Sequence, residues 1–318
     1  MTSSAFSIVI PCFNSERWLR EAISSALSQT LRPSEIVIVD DGSTDNTAQI
    51  AAHFAQAHPQ LIRIVRQPNR GACAARTAGL EAARSPYIAF VDADDRLLPD
   101  AIAIFSKAFE KGAQIAYGRA YRIDEGGRRL GPRPQDPSPS GDPFVSLFEA
   151  HPTTSSVAFS RSVLVECPWD NSLPCTQEFD LLTRCAMHGV RFGFEPEYVA
   201  EIREHGSPEG ITNKAAPIFS LVASRNMLRY RKFLLDSRTM TPSRSSALHF
   251  AMLHHAVALA RQGHLSFARE VLRGIDRRAV LRARKFKLLS EEAAALFGGL
   301  TLSTYVRKVK RALLRAKD

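Results

Sequence analysis

At 318 residues the chain can bury a sizeable core, and 45% hydrophobic with 23% charged residues is the composition of an ordinary soluble globular protein. No stretch approaches twenty uninterrupted apolar residues and the N-terminus runs from a short polar lead into a strand, so neither a membrane span nor a leader is expected and a cytoplasmic location is. Five cysteines without a CxxC pair argue against a disulfide framework and a zinc knuckle, and much of the formal net charge of +10 sits in residues 281–318, where ten Lys and Arg face three acids.

The first predicted element is a short strand over residues 6–10, stopped by Pro11, which cannot donate to a central ladder. A helix follows from near Ser15, with Trp18, Leu19, Ala22, Ile23, Ala26 and Leu27 on one stripe. Residues 35–39, Glu-Ile-Val-Ile-Val, read as a strand buried on both faces. It leads into Asp40-Asp41-Gly42-Ser43-Thr44-Asp45, where Gly42 permits a tight turn. A third strand over 61–65, an alanine-rich helix over 71–83 and a fourth strand over 87–91 complete three alternations of strand and helix. That alternation predicts an open, mostly parallel α/β sheet with helices on both faces and ligands beyond the carboxyl ends of its strands.

The unusual residues lie at those ends: Pro11-Cys12-Phe13-Asn14, Asp40-Asp41-Gly42-Ser43 and Asp92-Ala93-Asp94-Asp95. Three carboxylates leaving a buried strand are costly unless a cation, or a phosphate bridged by one, compensates them. Together with Asn69-Arg70-Gly71 and Ala75-Arg76-Thr77-Ala78-Gly79, these motifs resemble, in order and spacing, the signature of glycosyltransferase family 2, whose fold is the GT-A type. The resemblance implies inverting transfer of a sugar from a nucleotide donor, usually UDP-linked, to an acceptor hydroxyl. It places Pro11, Phe13, Asn14, Asp40 and Asp41 at the nucleobase and ribose, and Asn69, Gly71 and Arg76 at ribose and phosphate. Asp92-Ala93-Asp94 matches the DxD motif. Asp94 is then the expected ligand of Mn²⁺ or Mg²⁺, with Asp92 on the ribose or the metal, and alternation in an extended segment would point both side chains the same way.

Downstream, residues 99–111 read as a helix, 114–123 as a strand, 124–127 as a turn and 130–143 as a Pro/Ser/Gly/Asp-rich loop. Gln177-Glu178-Phe179-Asp180-Leu181 is similar to the family's Glu-Asp pair at a helix start, but carries Gln in the Glu position and Glu where the catalytic Asp usually sits. Glu178 is the expected base, held ionised by the helix dipole, and Asp180 is the alternative. A strand over 198–202 leads to Arg203-Glu204-His205, whose histidine the resemblance assigns to the metal shell or the diphosphate.

The expected domains are a GT-A domain over 1–213, with a nucleotide half to about 123 and an acceptor half after it, and a helical basic region over 214–318. Helices are predicted over 218–235, 246–260 and 265–275. His249, His254 and His255 read as helix packing and surface rather than a metal cluster. A last helix carrying Leu302, Tyr305, Val306 and Val309 opposite Arg307, Lys308, Lys310 and Arg311 suits either an anionic membrane surface at its inner face or packing on its own domain. The expected partners are a nucleotide-sugar donor and a glycan or lipid-linked acceptor, without nucleic acid. The alternative is a catalytically degenerate nucleotide-sugar-binding or membrane-scaffold protein.

Overall fold

The computed structural model describes residues 5–205, 216–276 and 278–280. The amphipathic helix predicted over 302–315 lies outside them. The chain divides into two compact units, one formed by Met1–Pro137, Ala150–Leu173 and Gln177–Gly210, the other by Ser138–Glu149, Pro174–Thr176 and Ile211–Asp318.

The first unit is built on β1 (Phe6–Cys12), β2 (Glu35–Asp40), β3 (Ile62–Arg66) and β4 (Tyr87–Phe90), connected by α1 (Leu19–Leu27), α2 (Thr47–Ala57) and α3 (Ala72–Ala82). Then follow β5 (Arg96–Leu97), α4 (Ala101–Glu110), β6 (Ile115–Ile123), β7 (Arg129–Arg133), a 3-10 turn (Thr154–Ser156), β8 (Val157–Ser160), α6 (Arg161–Glu166), α7 (Gln177–Met187) and β9 (Phe192–Arg203). Nine strands among the described residues form one sheet in the order β3-β2-β1-β4-β8-β6-β9-β5, with β7 paired to β6. β1, β2, β3 and β4 run parallel; β8 is antiparallel to both β4 and β6, which returns β6 and β9 to the common direction.

Both faces are covered, as the apolar strands require. Ile8, Ile10, Ile36 and Ile38 form a core with Leu19, Ala22, Ile23 and Ala26 of α1 and Ile102 and Phe105 of α4. On the other face α3 lies so close that a Cβ on Gly79 would come within 2.2 Å of Val9 Cγ1.

The predicted stop at Pro11 is corrected: β1 continues to Cys12. Val9 accepts a hydrogen bond from Val91 N–H and Cys12 from Asp41 N–H, so residues of the same parity as Val9 face β4. The β4 ladder ends at Val9 opposite Phe90, so Pro11 lies just past the last paired position on that side, while the pairing with β2 runs on through Pro11 and Cys12. The loop predicted from residue 130 opens instead as β7, which closes a hairpin with β6 over the turn at 124–127.

In the second unit, α5 (Pro143–Glu149) is joined to α9 (Pro242–Arg261) by Arg244, which pairs with Asp142 at 2.7 Å; α8 (Phe219–Asp236) and α10 (Leu265–Arg273) complete the described helices. Thr241 caps α9 by accepting from Arg244 N–H, with Pro242 in the first turn. His249 is buried with Nδ1 3.0 Å from Ser245 Oγ, and burial pushes His255 down to about 4. No helix among the described residues is long and apolar enough to cross a membrane.

Candidate active site

β1 lies between β2 and β4, so the loops leaving these three parallel strands emerge side by side. The first two are laced together. Asn14, in the left-handed region at φ 46°, accepts from Thr44 N–H through Oδ1 at 2.9 Å and donates its own N–H to Ser43 Oγ at 3.0 Å. Asp40, at the end of β2 and buried, accepts from Ser43 N–H at 3.0 Å, and its other oxygen lies 3.7 Å from Arg66 Nε. Gly42 has φ 78°, and a Cβ there would meet Asn69 N at 2.9 Å, so the turn needs glycine for both conformation and space.

Asp41 has a shaping role that the sequence did not reveal. Its buried carboxylate accepts from Gln67 Nε2 at 2.7 Å, Arg70 N–H at 2.9 Å and Gly71 N–H at 2.8 Å, folding the 67–71 loop against the end of β2. Asn69 and Gly71 are left exposed on that loop, Phe13 is half-buried and Pro11 buried.

At the end of β4 the acids occupy a turn, not an extended segment: Asp95 N–H donates to Asp92 O at 3.0 Å. The pleat argument for Asp92 and Asp94 is thereby corrected, because β4 has already ended at Phe90. Their carboxylates are nevertheless both accessible, with side chains 33% and 35% exposed, while Asp95 is buried. Asp95 is a brace: Oδ2 accepts from Ser155 Oγ at 2.6 Å and Oδ1 from Arg203 N–H at 2.9 Å. Ser155 in turn accepts from Asp92 N–H at 3.0 Å. Burial, with the charges of Asp94 and Asp92 beside it, pushes the Asp95 carboxyl well up.

Arg203, whose side chain is fully buried, holds the turn from beneath. Nε donates to Asp94 O at 2.8 Å, Nη1 to Asp124 O at 3.2 Å and Glu125 O at 2.7 Å, and Nη2 to Glu21 Oε2 at 2.7 Å. Two residues on, His205 Nε2 lies 2.8 Å from Asp94 Oδ2, and its ring packs at a tilt against Trp18 with a centroid distance of 4.6 Å. The hydrogen bond to Asp94 pushes the imidazole above its ordinary value. Sequence reasoning misses Ser155 and Trp18 and reads Arg203 only as the head of Arg203-Glu204-His205; the run Thr153-x-x-Ser156, which forms a capping box, and an arginine ending a strand are the available signals.

The second half of the site joins this turn through Arg76. Its buried guanidinium donates from Nη2 to Asp92 Oδ1 at 2.7 Å and from Nη1 to Gln177 Oε1 at 3.0 Å, and it lies 4.9 Å from the ring of Trp169. Burial works to raise Asp92 and Arg76 works against it. Gln177 and Glu178 open α7; Glu178 is half-exposed, and its charge is felt by Asp92, Arg76 and His151. Asp180 is differently placed, fully buried and accepting from Arg184 Nε at 2.8 Å. The strand ends and the start of α7 therefore converge, and Asp180 stands back from them.

The profile of glycosyl transferase family 2 matches residues 7–166, half of the chain. The chain belongs to glycosyl transferase family 2. Among curated relatives, YibD of Escherichia coli K12, named an uncharacterized glycosyltransferase, is 41% identical over 98 residues, which is 31% of this chain and 28% of YibD. GlyG of Streptococcus pneumoniae serotype 4 is 35% identical over 125 residues, 39% of this chain and 41% of GlyG. The chain thus spans well under half the length of either relative. Among solved structures, S. aureus TarS 1–349 in complex with UDP-GlcNAc has a TM-score of 0.58 at 16% identity, covering 84% of this chain and 87% of that one. The mannosyltransferase PcManGT from Pyrobaculum calidifontis, in complex with GDP-Man and Mn2+, has a TM-score of 0.58 at 17% identity, covering 99% and 86%. At these identities the likeness is one of fold, and that fold is GT-A.

The donor set suits a hard cation only in part. No group of three or more His, Cys, Asp or Glu among the described residues is arranged to hold a metal. Two accessible carboxylates, Asp92 and Asp94, with His205 beside the second, fit Mg²⁺ or Mn²⁺ of the kind completed by substrate phosphates and water.

Proposed function

We propose that the protein is an inverting glycosyltransferase that takes a nucleotide sugar, with UDP as the carrier, and transfers the sugar to a hydroxyl of a glycan or lipid-linked acceptor. One observation carries the reading: Arg76 binds Asp92 and Gln177 at once, which holds the helix start bearing Glu178 beside the strand-end acids. The nucleotide-sugar complexes of TarS and PcManGT, on the same fold, support the donor class.

In this reading Asp40 accepts from the base N–H, with Pro11, Phe13 and Asn14 lining base and ribose. Asn69 and Gly71 approach ribose and phosphate, and Arg76 lends positive charge to that side. Asp94 would hold Mn²⁺ or Mg²⁺, with Asp92 and His205 on its shell or on the substrate. The cation, when bound, supplies positive charge to the departing diphosphate. Glu178 takes the proton from the acceptor hydroxyl, and the oxygen lone pair forms a bond to the anomeric carbon from the face opposite the diphosphate. The bond from that carbon to the diphosphate oxygen breaks with its electron pair, leaving UDP and an inverted glycoside. Glu178 is preferred to Asp180 because it reaches solvent and Asp180 is committed to Arg184.

The test is hydrolysis or transfer from a panel of UDP-sugars with Mn²⁺. Glu178→Gln should lower turnover by about 10²- to 10⁴-fold, the usual contribution of a general base. Asp94→Ala should abolish it. Turnover within a few-fold of the parent in Glu178→Gln would place the base elsewhere.

A further inference from the structure

Gln177 opens α7 with both ends of its amide in use. Oε1 accepts from Arg76 Nη1 at 3.0 Å, and Nε2 donates to the Leu173 carbonyl at 2.9 Å. The side chain is buried, so neither contact is exchanged for water at no cost. A glutamate could keep the first contact but not the second. It would set a carboxylate oxygen against a carbonyl oxygen at hydrogen-bond distance, two acceptors with no proton between them.

The chain of contacts is continuous. Leu173, four residues before Gln177, is held to the first turn of α7 by the amide nitrogen; the amide oxygen holds Arg76; and Arg76 holds Asp92 at 2.7 Å. Glu178 follows immediately on the same turn. Charge favours the amide as well. Arg76 now meets one carboxylate and one neutral oxygen, whereas a glutamate would divide it between two carboxylates and add a negative charge near Asp92 and Glu178.

We propose that Gln177 is a positioning residue that fixes the start of α7 through Leu173, and with it the placement of Glu178, while steadying Arg76 on Asp92. The amide at 177 and the acid at 178 then work as one unit: the helix start is pinned by a neutral clamp, and the base reaches out from it. This rests on the reading of Glu178 as base and of the Asp92 side as the nucleotide site.

The experiment uses the full chain and the UDP-sugar that the parent hydrolyses fastest, with calorimetric titration of UDP in Mn²⁺ alongside. Gln177→Glu keeps an acceptor for Arg76 but divides that guanidinium with Asp92 and loses the donor to Leu173, so kcat should fall about tenfold or more, by a larger factor than donor KM rises. Gln177→Met, of similar size, loses both contacts and should lower kcat and weaken UDP binding together. In a cycle with Arg76→Lys, the double variant should bind UDP no more weakly than the worse single variant, because Gln177 acts on the nucleotide through Arg76. Parental kcat in either Gln177 variant, or additive effects on UDP affinity, overturns the proposal. A parent that turns over no UDP-sugar overturns the functional reading and this one together, whereas an active parent that loses activity in Glu178→Gln but not in Gln177→Glu overturns this one alone.

Discussion

Replacing Arg203 by methionine should weaken the fold and the acid turn together. The guanidinium is fully buried and makes four hydrogen bonds, to the carbonyls of Asp94, Asp124 and Glu125 and to Glu21. Glu21 loses least, because it is 41% exposed and keeps Arg96 at 3.2 Å. The three carbonyls lose a charged donor, and at about 1 kcal/mol or somewhat more for each such bond the deficit is about 3–4 kcal/mol, a large share of the 5–15 kcal/mol typical of a domain. With an m-value of about 2–3 kcal/mol/M, the urea midpoint should fall by about 1 M or more. Arg203→Lys keeps the charge but cannot span acceptors on opposite sides, and should lose a good part of the same amount. UDP titration in Mn²⁺ should weaken in parallel, since the Asp94 carbonyl is one of the anchors removed. A methionine variant whose midpoint lies within about 0.2 M of the parent would show that the turn is held by other contacts.

Gly79→Ala should destabilise the protein by about 1–3 kcal/mol, because the new Cβ would lie 2.2 Å from Val9 Cγ1 and force α3 away from the sheet; a thermal melt unchanged from the parent would contradict that packing. Asp41→Asn keeps one acceptor oxygen but turns an amide N–H₂ toward backbone donors at Arg70 and Gly71, so the 67–71 loop should become cleavable by protease under conditions where the parent is not. Glu35 accepts from Ser7 Oγ at 2.7 Å and Arg63 Nη2 at 2.6 Å, and although burial opposes ionisation, these bonds hold its carboxyl below the ordinary range. Its folded value being depressed, the stabilisation is present above the unfolded value of about 4.3 and is lost as pH falls through the folded one. Glu35→Gln should therefore cost about 1–2 kcal/mol at pH 7, with the gap closing in denaturation series below about pH 4.

The alternation of apolar strands and helices made the parallel core legible, because a strand buried on both faces carries its own signal whatever surrounds it. The acids at the ends of β2 and β4 were legible for the same reason: charge directly after a buried run has to be compensated. What remained hidden depends on neighbours that composition does not name. Pro11 reads as a strand stop until the shorter β4 is known to end beside it. Residues 129–133 look like loop because Gly131 and Pro132 dominate them, yet pairing with β6 on one edge makes them a strand. Ser155 and Arg203 are ordinary residue types whose roles arise from reaching Asp95 across 60 and 108 positions of sequence. Asp180 stands as the alternative to Glu178 on sequence alone, because nothing local in the sequence says that it is buried and paired with Arg184.

The acid cluster that first marked the site is a division of labour among three like residues, and the division follows from the turn. Had residues 92–95 stayed extended, alternation would have set Asp92 and Asp94 apart from Asp95 by face alone. The turn does so by direction of bonding. Asp95 is drawn inward by Ser155 Oγ and Arg203 N–H, and each of these groups also anchors one of its neighbours, Ser155 the Asp92 amide and Arg203 the Asp94 carbonyl. The backbone of both outward acids is thus fixed by the partners of the inward one. Their side chains are left to Arg76 and His205, which pair with Asp92 and Asp94 respectively. Loss of Asp95 should therefore loosen both outward acids at once, whereas loss of Arg76 or His205 should disturb one: Asp95→Ala is expected to abolish Mn²⁺-dependent UDP binding, while Arg76→Lys only weakens it. Equal, partial losses in the two variants would mean that the turn keeps its shape without its brace.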